Sequence, residues 1–207
     1  MNYLSERVNR LHESATIAMA RRSRELTEQG QKIISLSLGE PDFITPVNIC
    51  NAAKKAIDDG FTHYPPISGF SDLRKAISEK FRRENNLDFK PEQIVVSTGA
   101  KQSIANTVFS LLDPGDEVII PAPYWVSYSQ IIELAGGVPV YVKSTLANNF
   151  KPTATQIEAA ITPKTKMLVY SSPCNPTGSM FTKEELKAIA AVIAPHPRIF
   201  DMLIYFI

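Results

Sequence analysis

The chain has 207 residues, 44% of them hydrophobic, which is enough apolar material for one large domain or one and a half small ones. Lys plus Arg (22) and Asp plus Glu (21) leave a formal net charge of +1, so no basic field exists to draw nucleic acid or an anionic membrane, and a small-molecule partner is expected. The two cysteines, Cys50 and Cys174, lack the spacing of a zinc site, so the expectation is reduced thiols, no metal and a cytoplasmic setting.

Residues 1–24 are rich in charge and hold no apolar segment, which reads as neither a signal peptide nor a membrane anchor. His12 to Gln29 reads as a helix closed by Gly30, with Arg21, Arg22 and Arg24 on a solvated face. Ile33 to Leu38 alternates apolar residues with serine, as a half-buried strand does, and breaks at Gly39-Glu40-Pro41-Asp42. Thr45-Pro46 has the order of an N-cap and a first-turn proline, opening a helix through Val47, Cys50 and Ile57 that stops at Gly60. Beyond the Thr62–Pro66 loop and Gly69, the positions Leu73, Ala76, Ile77, Lys80 and Phe81 share one helix face, and Asn85-Asn86 ends it.

From Ile94 onward strands and helices alternate. Ile94 to Ser97 reads as a buried strand, Thr98-Gly99-Ala100-Lys101 turns into a helix carrying Ile104, Val108 and Leu111, and Asp113-Pro114-Gly115-Asp116 is a turn. Strands follow at Glu117–Ile120, Val138–Val142 and Met167–Tyr170, with helices from Trp125 to Ala135 and from Thr155 to Ile161 between them. Thr182 and Glu185 have capping-box spacing at a further helix start. Strands separated by helices of this length imply an α/β fold, a mostly parallel sheet with helices on both faces.

Three strand ends carry chemistry. The Thr98–Lys101 turn offers backbone N–H groups and the positive end of a helix to an anion such as phosphate, although structural use is the plainer reading of a lone turn. It carries neither the G-x-x-x-x-G-K-[ST] loop nor the G-x-G-x-x-G fingerprint. Trp125, the only tryptophan, follows two prolines that can hold an indole flat against a ring, though most single tryptophans serve a core. Asn175 sits between Pro173 and Pro176 in Ser171-Ser172-Pro173-Cys174-Asn175-Pro176-Thr177-Gly178; these prolines stiffen the loop and hold the carboxamide at a strand's carboxyl end, where open α/β sheets bind ligands. A solvated asparagine in a proline-rich turn is the plain alternative. Together the three would suit a phosphorylated planar aromatic cofactor.

Six segments in order resemble the class I aminotransferases of the aspartate aminotransferase group, which are fold-type I, pyridoxal-phosphate-dependent enzymes. They are Leu38–Phe43, Tyr64-Pro65-Pro66 with Gly69, Ser97–Gln102, Asp113–Val118, Pro121–Trp125 and Asn175–Gly178. The resemblance implies that Gly99, Ala100 and Lys101 line the phosphate site, Trp125 stacks on the pyridine ring and Asn175 bonds its phenolic oxygen. It implies that Tyr64 reaches the cofactor phosphate of a partner subunit in a homodimer. It places Gly39, with Trp125 and Asn175, at the substrate, Gly39 offering its N–H to the substrate carboxylate. Residues 1–45 become an N-terminal arm and part of the small domain, and 46–207 an incomplete large cofactor-binding domain. The implied reaction moves an amino group from an amino acid, aspartate first, to a 2-oxo acid such as 2-oxoglutarate.

Three parts of that chemistry have no identifiable position: the Schiff-base lysine that doubles as base, the carboxylate facing the pyridine nitrogen, and the arginine gripping the substrate carboxylate. No S-x-x-K occurs. Asp201 and Tyr205 match the expected D-E-I-Y segment only loosely, and Lys101, Lys183 and Lys187 suit phosphate or surface roles better than the covalent one. The expectation is a truncated aminotransferase, inactive by itself and poorly soluble or partly molten, with an exposed edge strand near 201–207. The alternatives are a non-catalytic remnant that binds pyridoxal phosphate weakly or pairs with an intact homologue, and an α/β binding domain unrelated to this cofactor.

Overall fold

Two stretches, β1 (Glu117–Ala122) and β3 (Thr165–Ser171), are near-continuous runs of buried residues, the pattern of strands covered on both faces. In the computed structural model, which describes residues 3–11, 15–36, 39 and 41–205, they are the inner strands of a four-stranded sheet. The order is β2-β1-β3-β4, with β2 (Val138–Lys143) and β4 (Phe200–Ile204) at the edges and every pairing parallel. Both edge strands are half-exposed.

The described chain divides into two compact units, Met1–Glu25 with Ala105–Ile207, and Leu26–Ile104. In the first, residue alternation sends Ile119, Leu168 and Tyr170 to one face of the sheet, where they pack with Ile157, Ile189, Ile193 and Ile199. Ile157 comes from α7 (Ala154–Glu158) and Ile189 and Ile193 from α8 (Lys183–Ile193), two helices in mutual contact. Val118, Ile120, Met167 and Val169 point the other way and are equally buried. There α6 (Ser127–Leu134), carrying Tyr128 and Ile132, packs on β1 and β2, and the short α1 (Glu6–Asn9) touches α6. Burying each such side chain stabilises the fold by about 1.5–3 kcal/mol. The capping box is formed: Thr182 Oγ1 accepts from Glu185 N–H at 3.1 Å, and Glu185 Oε2 accepts from Thr182 N–H at 2.7 Å. Lys151 then anchors the Glu185 carboxylate at 2.7 Å.

The Leu26–Ile104 unit holds α3 (Val47–Asp58) and α4 (Ser71–Asn85), the latter ended by Asn86 in the left-handed conformation. The Phe81 ring meets Phe89, and Ser78 Oγ donates to the Phe89 carbonyl at 2.5 Å, tying α4 to the segment after it. Gly69 has φ +94°, and a Cβ there would lie 2.7 Å from Val96 Cγ2, so the position needs glycine on both counts. Helix α2 (Ala15–Glu28) is shorter than the 12–29 expectation, whose residues 12–14 lie outside those described. Helix α5 (Ala100–Leu111) begins in the Leu26–Ile104 unit and ends in the other.

Four expectations need correcting. Ile33 to Leu36 form no strand, and Ile34 and Leu36 are exposed; alternation supplies a face, but a strand also needs a neighbour for its N–H and C=O groups. Residues 37 and 38 of that expected strand lie outside those described. Ile94 to Ser97 likewise form no strand: Ile94 is buried, Val95 is exposed, and Val96 N–H goes to the Ser68 carbonyl in a loop contact. Pro46 sits at the N-cap of α3 with no side-chain cap, displacing Thr45 from that role. The helix expected to reach Ile161 ends at Glu158. Among the described residues, no helix is long and apolar enough to cross a membrane.

Candidate functional site

In the sheet-bearing unit, β1 and β3 run side by side and both deliver loops at their carboxyl ends. After β1 the chain passes Pro123 and Tyr124 to Trp125, whose carbonyl accepts from Tyr128 N–H at 3.0 Å as α6 begins. The half-buried indole meets the Tyr128 ring edge-on, with centroids 5.5 Å apart and planes at 86°. The Tyr124 ring stacks on Tyr141 across the β1–β2 pairing at 5.3 Å. Burial pushes the Tyr141 phenol up to about 12, the neighbouring Tyr124 hydroxyl adding to the shift.

After β3, the Asn175 turn is tied at several points. Cys174 N–H donates to the Ser179 carbonyl at 2.8 Å and Gly178 N–H to the Cys174 carbonyl at 2.7 Å, while Asn175 N–H donates to Ser171 Oγ at 3.1 Å. Gly178 takes φ +73°, a value that suits glycine. Backbone bonding therefore fixes the turn while Asn175 stays exposed. Cys174 Sγ lies 3.5 Å from the Pro123 carbonyl, so this loop touches the one that bears Trp125. The structure thus brings the Trp125 and Asn175 loops together. The sequence reads Ser171 only as the first residue of the Asn175 loop and does not single out Tyr128 at all, its one signal being the i+3 spacing from Trp125.

The remaining candidate residues belong to the Leu26–Ile104 unit. Gly99 adopts φ +83° just before α5, and nothing lies within 4 Å of where its side chain would be, so the backbone angle and not crowding calls for glycine. The Gln102 side chain accepts from Thr98 N–H and closes the turn from inside the helix. Ala100 and Lys101 open α5, where the positive end of the helix dipole favours an anion. Tyr64 is fully exposed, and Gly39 is exposed with open space beside it.

Asp201 lies in β4 opposite Leu168, close enough to the Tyr170 phenol for each group to shift the other. Burial pushes the Asp201 carboxyl above the usual range, the Tyr170 hydrogen bond opposing it, and burial beside that carboxylate raises Tyr170 as well. This is a pair within the sheet, a role the sequence did not suggest. Lys183 and Lys187 are exposed on or beside α8. No group of three or more metal-ligating side chains occurs among the described residues.

The family described as aminotransferase class I and II matches residues 31–202, most of the chain. The chain belongs to the class I and II aminotransferases. An aspartate/prephenate aminotransferase from Cereibacter sphaeroides is 50% identical over 202 residues, covering 98% of this chain and 50% of the relative. The aspartate aminotransferase of Bacillus subtilis is 47% identical, covering 93% and 49%. The aspartate aminotransferase from Thermus thermophilus with maleate superposes with a TM-score of 0.93 at 44% identity, covering 99% of this chain and 54% of that one. This aminotransferase chain therefore spans about half the length of the relatives it matches. The α/β, all-parallel architecture is that of the aspartate aminotransferases.

Proposed function

We propose that this chain supplies the cofactor-binding part of a pyridoxal-phosphate-dependent aminotransferase that moves an amino group from aspartate to a 2-oxo acid such as 2-oxoglutarate. The observation that carries the reading is the meeting of the Trp125 and Asn175 loops at the carboxyl ends of adjacent parallel strands, in a chain of this family. The donor set suits the cofactor: N–H groups at a helix start for a phosphate, an indole for a ring, a carboxamide for a phenolic oxygen.

In this reading Gly99, Ala100 and Lys101 hold the phosphate, the first two through backbone N–H groups and Lys101 adding charge. Trp125 lies on one ring face and keeps water from it, its tilt set by Tyr128. Asn175 donates to the phenolic oxygen from a turn already held by Ser171. Gly39 N–H binds the substrate carboxylate and Tyr64 reaches the phosphate in a second copy of the chain, which makes the working form a homodimer in the cytoplasm. Bound pyridoxal phosphate supplies a ring that accepts the electrons left when the substrate's α-proton departs. Residues 1–45 serve as the arm and 46–207 as part of the large domain.

Titrating pyridoxal phosphate into the 207-residue chain tests this, with Trp125 emission and cofactor absorbance as readouts. Saturable quenching is expected in the parent chain and in Asn175→Ala, which binds about 2- to 10-fold more weakly; Trp125→Leu removes the only tryptophan, so cofactor absorbance reads its weakening of about 10-fold or more. Borohydride reduction separates lysine-linked cofactor from cofactor held without a covalent bond. Linear, non-saturable quenching in the parent that Asn175→Ala does not alter, with cofactor absorbance equally unchanged by Trp125→Leu, overturns the proposal. Amino acceptors are compared as 2-oxoglutarate against prephenate, since the Cereibacter relative's name includes prephenate.

A further inference from the structure

Tyr128 is 2% exposed, and it meets the indole of one loop while lining a cavity with Ser171 beneath the other. Its ring braces the indole of Trp125, 5.5 Å away edge to face. Its hydroxyl is buried with no bonded partner among the described residues, and Tyr128 lines a small cavity together with Ser171 and Cys174. Ser171 Oγ accepts the Asn175 N–H at 3.1 Å. A buried hydroxyl without a partner is costly, and a serine hydroxyl can accept and donate together, so Ser171 is equipped to serve the phenol and Asn175 simultaneously. A residue serving only to fill the core could as well be phenylalanine.

We propose that Tyr128 is a positioning residue that sets both Trp125 and Asn175: its ring fixes the tilt of the indole, and its hydroxyl steadies the Asn175 turn through Ser171. This rests on the cofactor reading above for its consequence, although the two placements are properties of the chain itself. Burial raises the Tyr128 phenol's pKa while Ser171 opposes the rise, which keeps the phenol protonated and able to donate at neutral pH.

The test uses the 207-residue chain with Tyr128→Phe, Tyr128→Leu, Ser171→Ala and the Phe/Ala double substitution. Trp125 is the only tryptophan, so the emission of the cofactor-free chain reports the indole alone, and hydrogen exchange at Asn175 N–H reports the turn. Tyr128→Phe is expected to leave emission unchanged, to speed Asn175 exchange about 2- to 10-fold and to weaken pyridoxal phosphate by a similar factor. Exchange at Val118 in β1 stays constant, which a general loss of stability would not allow. Tyr128→Leu also shifts emission to the red and opens the indole to quencher. In the Ser171→Ala background, Tyr128→Phe adds nothing further at Asn175. Unchanged Asn175 exchange in Tyr128→Phe, unchanged emission in Tyr128→Leu, or a full Tyr128→Phe effect without Ser171 each overturns the proposal. If the parent chain binds no pyridoxal phosphate, the cofactor reading falls while emission and exchange still decide the role of Tyr128.

Discussion

The two compact units spend similar apolar residues differently. In the sheet-bearing unit Val118, Ile119, Ile120, Met167 and Leu168 are fully buried. In the Leu26–Ile104 unit Phe43, Ile44, Val47, Ile49, Ile57 and Ile67 are all exposed, and α3 buries no residue. Helix α3 has the spacing of an amphipathic helix, yet spacing only collects apolar side chains on one face. What stabilises is area removed from water, and that requires a facing layer. Resistance to unfolding should accordingly reside in the sheet.

The sharpest way to break that contrast is a pair of truncations. Leu168→Ala, in the packed face of β3, is expected to cost about 2–5 kcal/mol, whereas Ile57→Ala on exposed α3 stays within about 0.5 kcal/mol. Urea unfolding followed by circular dichroism measures both, and comparable losses would show that the units share one core. A second test asks whether the Leu26–Ile104 unit has any sensitive point. Gly69→Ala combines a positive φ with a clash at Val96, so a loss of about 1–3 kcal/mol is expected there, against almost none for the same change at exposed Gly39.

Helix starts give a smaller contrast. Thr182→Ala removes a formed cap and should cost about 1 kcal/mol, while Thr45→Ala should cost little because Pro46 holds the N-cap position without a side-chain bond. Equal shifts in melting temperature would contradict the difference. The smallest effect concerns Asp201, whose carboxyl is raised by burial. A carboxyl raised on folding favours its protonated form in the native state, so its cost is absent below the unfolded value of about 3.9 and grows as pH rises through the raised native value. Asp201→Asn should therefore stabilise the chain slightly at neutral pH and lose that advantage in acid. A pH series in which the gain is larger in acid would refute the sign.

Much of the sheet unit was legible beforehand. The apolar runs at 117–120 and 167–170 are strands because their lengths, turns and flanking helices leave no other economical arrangement, and the Thr182/Glu185 box is local enough to read residue by residue. The same reading misplaced strands at 33–36 and 94–97, where local pattern was present and a pairing partner was not. Of the site, Trp125 and Asn175 were legible as residue types after strands. Their support was not, since Tyr128 and Ser171 lie 43 positions apart and only packing brings both to one cavity.

By itself the sequence determined the α/β alternation, the aminotransferase kinship and which loops carry an indole, a carboxamide and a glycine turn, because these depend on short-range spacing and backbone restriction. Tertiary structure alone decided which apolar faces are covered, that Asp201 comes beside Tyr170, and that one buried tyrosine meets the indole of one loop and shares a cavity with Ser171 of another. Such outcomes depend on which distant segments meet and exclude water, a property of the assembled layers that no local stretch encodes.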